Sequence, residues 1–349
     1  MGPEEGPFRK AEKVNAQRKK TIIRAVILCG IAAGLLLAAV WFIDRSQRDQ
    51  YKETRGTETE AFMEAGSVIW EGKRYKKTPG VAVILVAGID REQDAQQGVG
   101  TSRYRNGGQA DFLLLLAVDQ THRQIHQLQI DRDAMTAVSV LSVYGQETGT
   151  RVMQICLAHS YGANREENAR YTLKAVRGLM NGIDIDDYYM LDYGAVPMLN
   201  DALGGISVTV PDDMTSVNPL WSKDNVVTLA GDEAETFVRT RKTIGEGTNE
   251  ERMRRQNTFM QSAVSALREK LAQRAEFGGR LVASLRDHVT TNMSDQRLLE
   301  IIQIASGYEV LPVEYLDGKY KIGESGYMEF YAEEDSAERW IMQHLYTKA

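Results

Sequence analysis

An uncharged apolar run at residues 25–43 constrains the topology of this 349-residue chain more than any other feature. The run, AVILCGIAAGLLLAAVWFI, has 19 residues, the length that a helix needs to cross a hydrocarbon core of about 30 Å. It ends in Trp41 and Phe42, as is typical of an interfacial anchor, and no small-x-small cleavage site follows it. The run therefore predicts one uncleaved N-terminal transmembrane helix, with a cleaved signal peptide as the alternative.

The charges on either side of the run predict its orientation. Residues 1–24 carry seven Lys or Arg against three Glu, whereas the twenty residues after Ile43 carry four Lys or Arg. Positive charge accumulates on the cytoplasmic side of a membrane span. We therefore expect a single-pass protein of the cell membrane, with a cytoplasmic basic tail at 1–24, a polar stalk at 44–78 and an extracytoplasmic domain at 79–349.

The composition beyond the tail excludes some functions. Residues 1–24 carry a formal net charge of +4, which leaves −10 on residues 25–349 of a chain whose total is −6. An acidic domain is a poor general binder of nucleic acid, so we expect no nucleic-acid partner. Cys156 is the only cysteine after the apolar run, and its apolar neighbours indicate a buried small side chain rather than a nucleophile. The five histidines are scattered, without the spacing of zinc ligands.

Strand and helix patterns alternate along the chain. Continuous apolar runs predict buried strands at 81–88 and 112–118, and alternation predicts a third strand at 124–130. Further elements are predicted as helices at 164–181, 194–203, 232–242, 250–273 and 337–346, short strands at 188–191 and 206–210, and a hairpin around 317–318. The predicted fold class is therefore α/β, an α-β-α sandwich with a central mixed sheet that follows the transmembrane helix.

Carboxylates stand at the ends of the first two predicted strands. Asp90 follows the first strand and Asp111 precedes the second, so the two residues meet if these strands are antiparallel neighbours. Facing carboxylates repel unless a proton or a cation lies between them. Hard oxygen ligands favour Mg²⁺, with Mn²⁺ as a second candidate. The alternative is that each residue merely ends its strand.

Residues 237–256, FVRTRKTIGEGTNEERMRRQ, contain five arginines although the chain is acidic. On the predicted long helix Arg252, Arg255 and Gln256 share one face, whereas Arg254 points to solvent. Arg239 and Arg241 lie near the end of the preceding helix. The planar guanidinium group matches phosphate oxygens, so we interpret the cluster as a phosphate site. The alternative is a solvated face neutralised by the two glutamates at the start of the helix.

These features belong to a series of motifs that resembles the LytR-CpsA-Psr family of cell-wall glycopolymer transferases. The core motifs span residues 81–271 and are ILVAGID, QADFLLLLAVD, QIDRDAMT, YYMLDYGAVPMLNDALGGISVTVP and GDEAETFVRTRK followed by ERMRRQ. The resemblance implies an extracytoplasmic domain that binds a polyprenyl pyrophosphate-linked glycan, with the lipid in an apolar tunnel. It also implies transfer of the phosphoglycan to peptidoglycan or a related acceptor, as in the attachment of teichoic acid or capsule.

The resemblance also implies roles for individual residues. Asp90 and Asp111 would hold Mg²⁺, and Asp133 and Gln256 would orient the phosphates. The residues expected to grip the pyrophosphate are Arg132, Arg239, Arg241, Arg252 and Arg255. Physically this is phosphoryl transfer by positioning and charge neutralisation.

Three departures from the family pattern bear on activity. Gln109 stands where the family usually has an arginine, which Arg103 or Arg105 would have to replace. Asn249 stands where an aspartate is usual, and Gln154 to Cys156 replaces a Lys-Ile-Asn stretch. One alternative is therefore a catalytically weak scaffold that binds polyprenyl phosphate. Another is a polyprenyl pyrophosphate hydrolase with water as the acceptor.

Overall fold

A computed structural model of the chain describes residues 67–90, 107–142, 144–241, 244–245 and 247–349. The described residues fall into two compact units, one with residues 67–76 and Ala349 and the other within residues 77–348. The predicted tail, transmembrane helix and most of the predicted stalk lie outside the described residues. No helix within the described ranges is long and apolar enough to cross a membrane.

In the first unit the described residues form a β-hairpin. Strand β1, Ser67–Trp70, pairs antiparallel with β2, Lys73–Lys77, around Glu71 and Gly72, which both have positive φ. Positive φ at both central residues is typical of the tight turn that joins two twisted strands. Only Tyr75 of β2 is buried, so this polar segment lacks the alternation of apolar and polar residues that predicts a strand.

The second unit alternates strands and helices along the chain. Its strands are β3 (Val81–Asp90), β4 (Gln109–Asp119), β5 (Gln124–Ile130), β6 (Met135–Leu141), β7 (Glu147–Gln154), β8 (Asp187–Asp192), β9 (Ile206–Thr209), β10 (Val226–Leu229), β11 (Val289–Thr291), β12 (Glu309–Tyr315), β13 (Gly318–Ile322), β14 (Met328–Ala332) and β15 (Tyr346–Lys348). Its α-helices are α1 (Arg165–Leu179), α2 (Val196–Leu203), α3 (Glu233–Arg239), α4 (Asn249–Gln273), α5 (Phe277–Leu285), α6 (Asp295–Gly307) and α7 (Ser336–His344). The predicted α/β class is confirmed.

Six strands form the central mixed sheet, in the order β11-β8-β3-β4-β5-β12. The β3–β4 and β4–β5 pairs are antiparallel, whereas β8 runs parallel to β3 and β12 runs parallel to β5. Strands β3 and β4 lie at the centre of this sheet. Strands covered on both faces need apolar side chains at every position, which is why these two are recognisable as continuous apolar runs.

Helices cover both faces of the sheet. On one face Leu85 of β3 belongs to a core that includes Val176 of α1 and Trp340 of α7. The next residue along the strand, Ile84, packs on the other face in a cluster with Ile301 of α6. Successive side chains of a strand point to opposite faces, so one strand can supply two cores. The predicted α-β-α sandwich is confirmed.

Local signals position the helix starts. Asn164 caps α1 by accepting a hydrogen bond of 2.8 Å from the backbone N–H of Glu167, as the capping pattern predicts. Thr248 caps α4 by accepting from the backbone N–H of Glu251 at 3.3 Å. Each such cap contributes about 1 kcal/mol. The cap at Thr248 sets the rotation of α4 at the point where its arginines begin.

A second core holds the arginine-bearing helices. Phe237 of α3 is fully buried and meets Trp221 edge to face, with ring centroids 5.7 Å apart. The buried amide of Asn200 in α2 donates to the carbonyl of Leu229 at 2.9 Å and accepts from the N–H of Ile206 at the same distance. These bonds tie the β9–β10 hairpin to α2, within the apolar cluster that also packs against α4.

The C-terminal hairpin differs from the prediction. Strand β13 pairs with β14, so the hairpin turn lies at 323–327, and the expected hairpin around 317–318 is wrong. Strand β12, which ends at Tyr315, instead pairs with β5. The β12–β5 pairing joins segments about 185 residues apart, and no local turn pattern predicts such a pairing. Helix α3 also ends at Arg239, earlier than predicted, because Thr240 adopts an extended ψ of 133°.

Candidate active site

The β3–β4 pairing positions two carboxylates at one end of the sheet. Asp90 pairs with Gln109, and the register shifts between Gly88 and Ile89, which leaves Asp111 opposite the irregularity. A side chain at Gly88 would place its Cβ 2.5 Å from Cε1 of Tyr193, so this position has room only for glycine. Burial raises the pKa of the Asp90 carboxyl, Arg239 opposes this shift and the charge of Asp111 adds to it. The two carboxylates therefore lie close enough to interact, as the sequence predicts.

Asp111 is the anion at the centre of the site. Its side chain is buried and lies between two guanidinium groups. Nη1 of Arg252 donates to Oδ2 at 2.8 Å, and Nη1 of Arg132 lies 2.6 Å from Oδ1. Arg252 comes from α4 and Arg132 from the segment after β5, so Asp111 joins the sheet to the long helix.

Two further arginines lie at the rim of the site. Nη2 of Arg239 donates to Oδ1 of Asp90 at 2.6 Å, and its Nη1 donates to Oε1 of Glu235 at 2.8 Å. Nη2 of Arg241 lies 4.0 Å from Oδ2 of Asp133, while its Nε donates to the carbonyl of Gly247 at 3.0 Å. Both arginine side chains are partly exposed, which leaves them free to contact a ligand.

Two neutral residues, Gln109 and Cys156, hold Arg132, and both belong to the motifs that depart from the family pattern. Its Nη2 donates to Oε1 of Gln109 and, at 2.9 Å, to Sγ of Cys156. Gln109 therefore supplies an acceptor that orients Arg132, rather than a further positive charge. Burial raises the pKa of the Cys156 thiol to about 11, so it is neutral at physiological pH. The expectation that Cys156 is a buried side chain is confirmed.

Asn249 links the site to a carboxylate that the sequence did not single out. Its Oδ1 accepts from Nη2 of Arg252 at 2.7 Å, and its Nδ2 donates to Oδ1 of Asp131 at 2.8 Å. Asp131 is buried and also accepts from the hydroxyl of Tyr320 at 2.5 Å. The amide at position 249 is thus donor to one partner and acceptor from the other. A carboxylate could accept from Arg252 but would face Asp131 without a proton to donate.

We predict that Asn249→Asp, which restores the residue usual in the family, destabilises this protein. Two buried carboxylates would then share a contact of 2.8 Å, with an expected loss of about 2–3 kcal/mol in the free energy of unfolding. Urea denaturation of the purified variants measures the loss. Asp131→Asn in the same chain removes the repulsion and should recover part of it. A single variant as stable as the parent would contradict this interpretation of Asn249.

Arg255 and Gln256 are buried beneath the site rather than at its rim. Nη1 of Arg255 donates to Oδ2 of Asp212 at 3.3 Å and its Nη2 donates to the carbonyl of Thr240. Gln256 donates to the hydroxyl of Tyr193 at 2.9 Å. The predicted helix face is confirmed, since both side chains point inward. Their bonds, however, anchor the segment after α3 and Tyr193, so they position the neighbouring arginines.

Arg254, on the same turn of the helix, is half-exposed and pairs with Oδ1 of Asp212 at 2.6 Å, as the helical phase predicts for a surface residue. Arg103 and Arg105, the candidate substitutes for the missing arginine, lie outside the described residues. Asp131, Tyr193 and Asp212 were not predicted as site residues. Only Asp131 had a signal, because it directly follows a predicted strand.

Unsatisfied polar atoms concentrate in this cluster. In the part of the chain that the structure describes, seven buried side-chain nitrogen or oxygen atoms lack a hydrogen-bond partner. Five of them belong to predicted site residues, namely Asp111 Oδ1, Arg132 Nε, Asp133 Oδ2, Arg252 Nε and Arg255 Nε. The close contact of Asp111 Oδ1 with Arg132 is an ion pair that lacks the alignment of a hydrogen bond. A buried atom of this kind costs about 1–3 kcal/mol, a cost that a bound polar ligand can remove.

Comparison with known proteins places these residues in a family context. The model of the LytR_cpsA_psr family matches residues 41–343. The chain is 27% identical over 164 residues to the polyisoprenyl-teichoic acid–peptidoglycan teichoic acid transferase TagU of Halalkalibacterium halodurans, which covers 47% of this chain and 46% of TagU. It is 25% identical over 217 residues to the transferase TagV of Bacillus subtilis, named for the same reaction, which covers 60% of this chain and 51% of TagV. The chain thus spans about half the length of these curated relatives.

The fold has solved relatives as well. The crystal structure of Bacillus subtilis TagV superposes with a TM-score of 0.57 and 22% sequence identity, over 77% of this chain and 98% of that chain. The mixed sheet flanked by helices is therefore a shared architecture.

Proposed function

This chain belongs to the LytR_cpsA_psr family, and from that premise we propose that it is a phosphotransferase of the bacterial cell envelope. It moves a glycopolymer from a polyprenyl pyrophosphate carrier to a hydroxyl of peptidoglycan or a related wall acceptor. The names of the relatives TagU and TagV, which state such a transfer, support this proposal. The apolar run at 25–43 would anchor the protein in the cell membrane with its catalytic domain outside the cytoplasm.

One observation carries the proposal, namely the group of buried, unsatisfied polar atoms between the sheet and α4. Two of these atoms are the Nε atoms of Arg132 and Arg252, the arginines that hold Asp111. Buried guanidinium groups with free donors suit a multivalent anion with several acceptor oxygens, and a pyrophosphate is such an anion. The partly exposed Arg239 and Arg241 would close on it from the rim.

The reaction needs little covalent chemistry from the protein. The acceptor hydroxyl attacks the sugar-linked phosphorus, the bond to the lipid phosphate breaks, and polyprenyl phosphate leaves. Arg132 and Arg252 neutralise charge that spreads over the phosphate oxygens. The hydroxyl proton needs an acceptor. Burial raises the pKa of the Asp133 carboxyl against the opposing charge of Arg132, and its unsatisfied Oδ2 suits this role.

The carboxylates fit a hard divalent cation. Asp111 retains one buried oxygen without a hydrogen bond, and Asp90 ends the neighbouring strand. Arg132 and Arg239, by turning onto phosphate oxygens, would release Oδ1 of Asp111 and the carboxylate of Asp90, which would then hold Mg²⁺, or Mn²⁺ in its place. Such an ion supplies further neutralisation of the pyrophosphate charge.

An apolar space suits the lipid. Helix α6 has the sequence DQRLLEIIQIASG, yet none of its thirteen residues is fully buried. Val86 and Leu116 on the facing side of the sheet are also only partly buried. Loosely covered apolar surface of this kind would accommodate a polyprenyl chain.

Purified full-length chain in detergent, supplied with a polyprenyl pyrophosphate oligosaccharide, Mg²⁺ and a peptidoglycan acceptor, tests the function. We expect glycan linked to the acceptor through a phosphate. Released phosphate without linked product would instead identify a hydrolase. Bound lipid with neither product would identify a scaffold.

We predict that Arg239→Ala raises KM for the lipid-linked donor roughly 10- to 100-fold, because one charged phosphate contact is lost at the rim. Arg170→Ala is the matched control. Arg170 also pairs with a glutamate of its own helix, Glu167, but it lies on α1. Initial rates at varied donor concentration measure both variants. Equal KM values for Arg239→Ala and the parent would show that Arg239 does not contact the donor.

A further inference from the structure

Two histidines and a glutamate that are far apart in the sequence meet at the edge of the central sheet. His126 lies on β5, Glu314 on β12 and His344 in the last turn of α7. Their nitrogen and oxygen ligand atoms all lie within 4.8 Å of one another. Nε2 of His344 lies 3.0 Å from Oε1 of Glu314, and the centroids of the two imidazole rings are 4.2 Å apart, with an interplanar angle of 34°.

The topology explains this meeting. His126 and Leu128 are two residues apart on β5 and so point to the same face of the sheet. Glu314 pairs with Leu128 in the parallel β5–β12 ladder, which places it on that face beside His126. Helix α7 packs over the same face through Trp340, and His344 follows Trp340 by one helical turn. Strand β5, helix α7 and the partly exposed edge strand β12 therefore hold the three side chains together.

We propose that His126, Glu314 and His344 form a binding site for a transition-metal ion, with Zn²⁺ as the expected ion. Two imidazoles and one carboxylate are ligands that Zn²⁺ accepts in four-coordinate sites, with water in the fourth position. Imidazole nitrogens select such an ion over Mg²⁺, which prefers oxygen alone. This site is separate in residues and in chemistry from the carboxylates Asp90 and Asp111.

The distances are compatible with coordination. Bonds of about 2.0–2.1 Å in a tetrahedral centre place ligand atoms roughly 3.3 Å apart, so the widest separation of 4.8 Å that the cluster allows would have to shorten by about 1.5 Å. The side chain of Glu314 is 41% exposed and that of His344 is 13% exposed, so the glutamate can move while the histidine stays packed. The exposed side also admits the ion and its water ligand. Bound metal would fasten the end of α7 to β5 and to the edge strand β12.

Titration of the metal-free full-length chain with Zn²⁺, in excess Mg²⁺, tests the site. We expect one Zn²⁺ per chain, and Co²⁺ in its place should give the visible absorption bands of a tetrahedral centre. His126→Ala and His344→Ala should each weaken binding at least tenfold. At a metal concentration about 100-fold above Kd the melting temperature should rise by roughly 5–10 °C.

His288→Ala is the matched control, because it removes one of the five histidines but lies outside the cluster. Its affinity should equal that of the parent chain. Glu314→Gln keeps the size of the side chain, so it tests the site even where a histidine variant misfolds. It should also weaken Zn²⁺ binding. Circular dichroism confirms that each variant is folded. Failure of the parent chain to bind one equivalent, or equal losses in His288→Ala and His344→Ala, would overturn the proposal.

Discussion

Replacing Arg252 by alanine is expected to lower kcat/KM for glycan transfer on the order of 1000-fold. Arg252 is 4% exposed, and its two terminal nitrogens donate to Asp111 and Asn249, which leaves Nε for a ligand. Removal of a preorganised donor from a water-excluded phosphate site costs about 3–4 kcal/mol of transition-state stabilisation. Steady-state rates with the lipid-linked donor measure this loss.

Arg252→Lys separates the loss of charge from the loss of geometry. One ammonium group keeps the charge but cannot hold Asp111 and Asn249 while it also contacts a phosphate, so we expect a loss of roughly 100-fold. Arg254→Ala is the control on the same helix, because its side chain is half-exposed and points away from the site. Its turnover should match that of the parent. Parental turnover in folded Arg252→Ala would exclude Arg252 from the reaction.

Replacing Arg255 by alanine is expected to lower the free energy of unfolding by about 3–5 kcal/mol. Arg255 is fully buried, and its loss leaves the carboxylate of Asp212 and the carbonyl of Thr240 without this donor. Denaturation in urea, followed by tryptophan fluorescence and by circular dichroism, measures the change. The segment after α3 should loosen first, because the bond to Thr240 is lost.

Arg254→Ala is an unusually close control, since Arg254 and Arg255 bond to the two oxygens of the same carboxylate, Asp212. The exposed pair should contribute less than about 1 kcal/mol. Equal losses from the two variants would contradict a structural role for Arg255. Arg255→Met keeps much of the bulk of the side chain and is the milder change. The affinity of this variant for the lipid-linked donor shows whether Arg255 contacts the donor directly, as the family resemblance implies, or acts through the position of its neighbours.

The central strands could be predicted from the sequence because burial on both faces leaves an unbroken apolar signal. This holds for β3 and β4, whereas their antiparallel pairing was a condition of the sequence analysis that the structure meets. Strand β12 was expected only as one arm of the hairpin around 317–318, and its true partner β5 was not predicted because it is distant in the sequence. The β13–β14 hairpin was expected in the wrong place for the same reason, since the strand before it pairs elsewhere.

The candidate site was predictable wherever it depended on periodicity. A rotation of about 100° per residue placed Arg252, Arg255 and Gln256 on one face of α4 and Arg254 on another. Periodicity could not distinguish Arg252, which keeps a donor for a ligand, from Arg255, which anchors the segment after α3. Arg255 and Arg252 have the same residue type and the same helix face, and only their partners, Asp212 and Asp111, differ.

Strands β3 to β5, helices α1 to α4 and the inward face of α4 were determined by the sequence alone, because each depends on local patterns. The meeting of Asp90 with Asp111 depended in addition on the antiparallel pairing of β3 with β4. Tertiary structure decided the bridge from Arg252 through Asn249 to Asp131, and the meeting of His126, Glu314 and His344. Each of the two groups contains residues that are more than 100 positions apart along the chain, as Asn249 is from Asp131 and His126 is from Glu314. Their geometry depends on how whole elements pack, and packing is a property of the folded chain rather than of any segment of it.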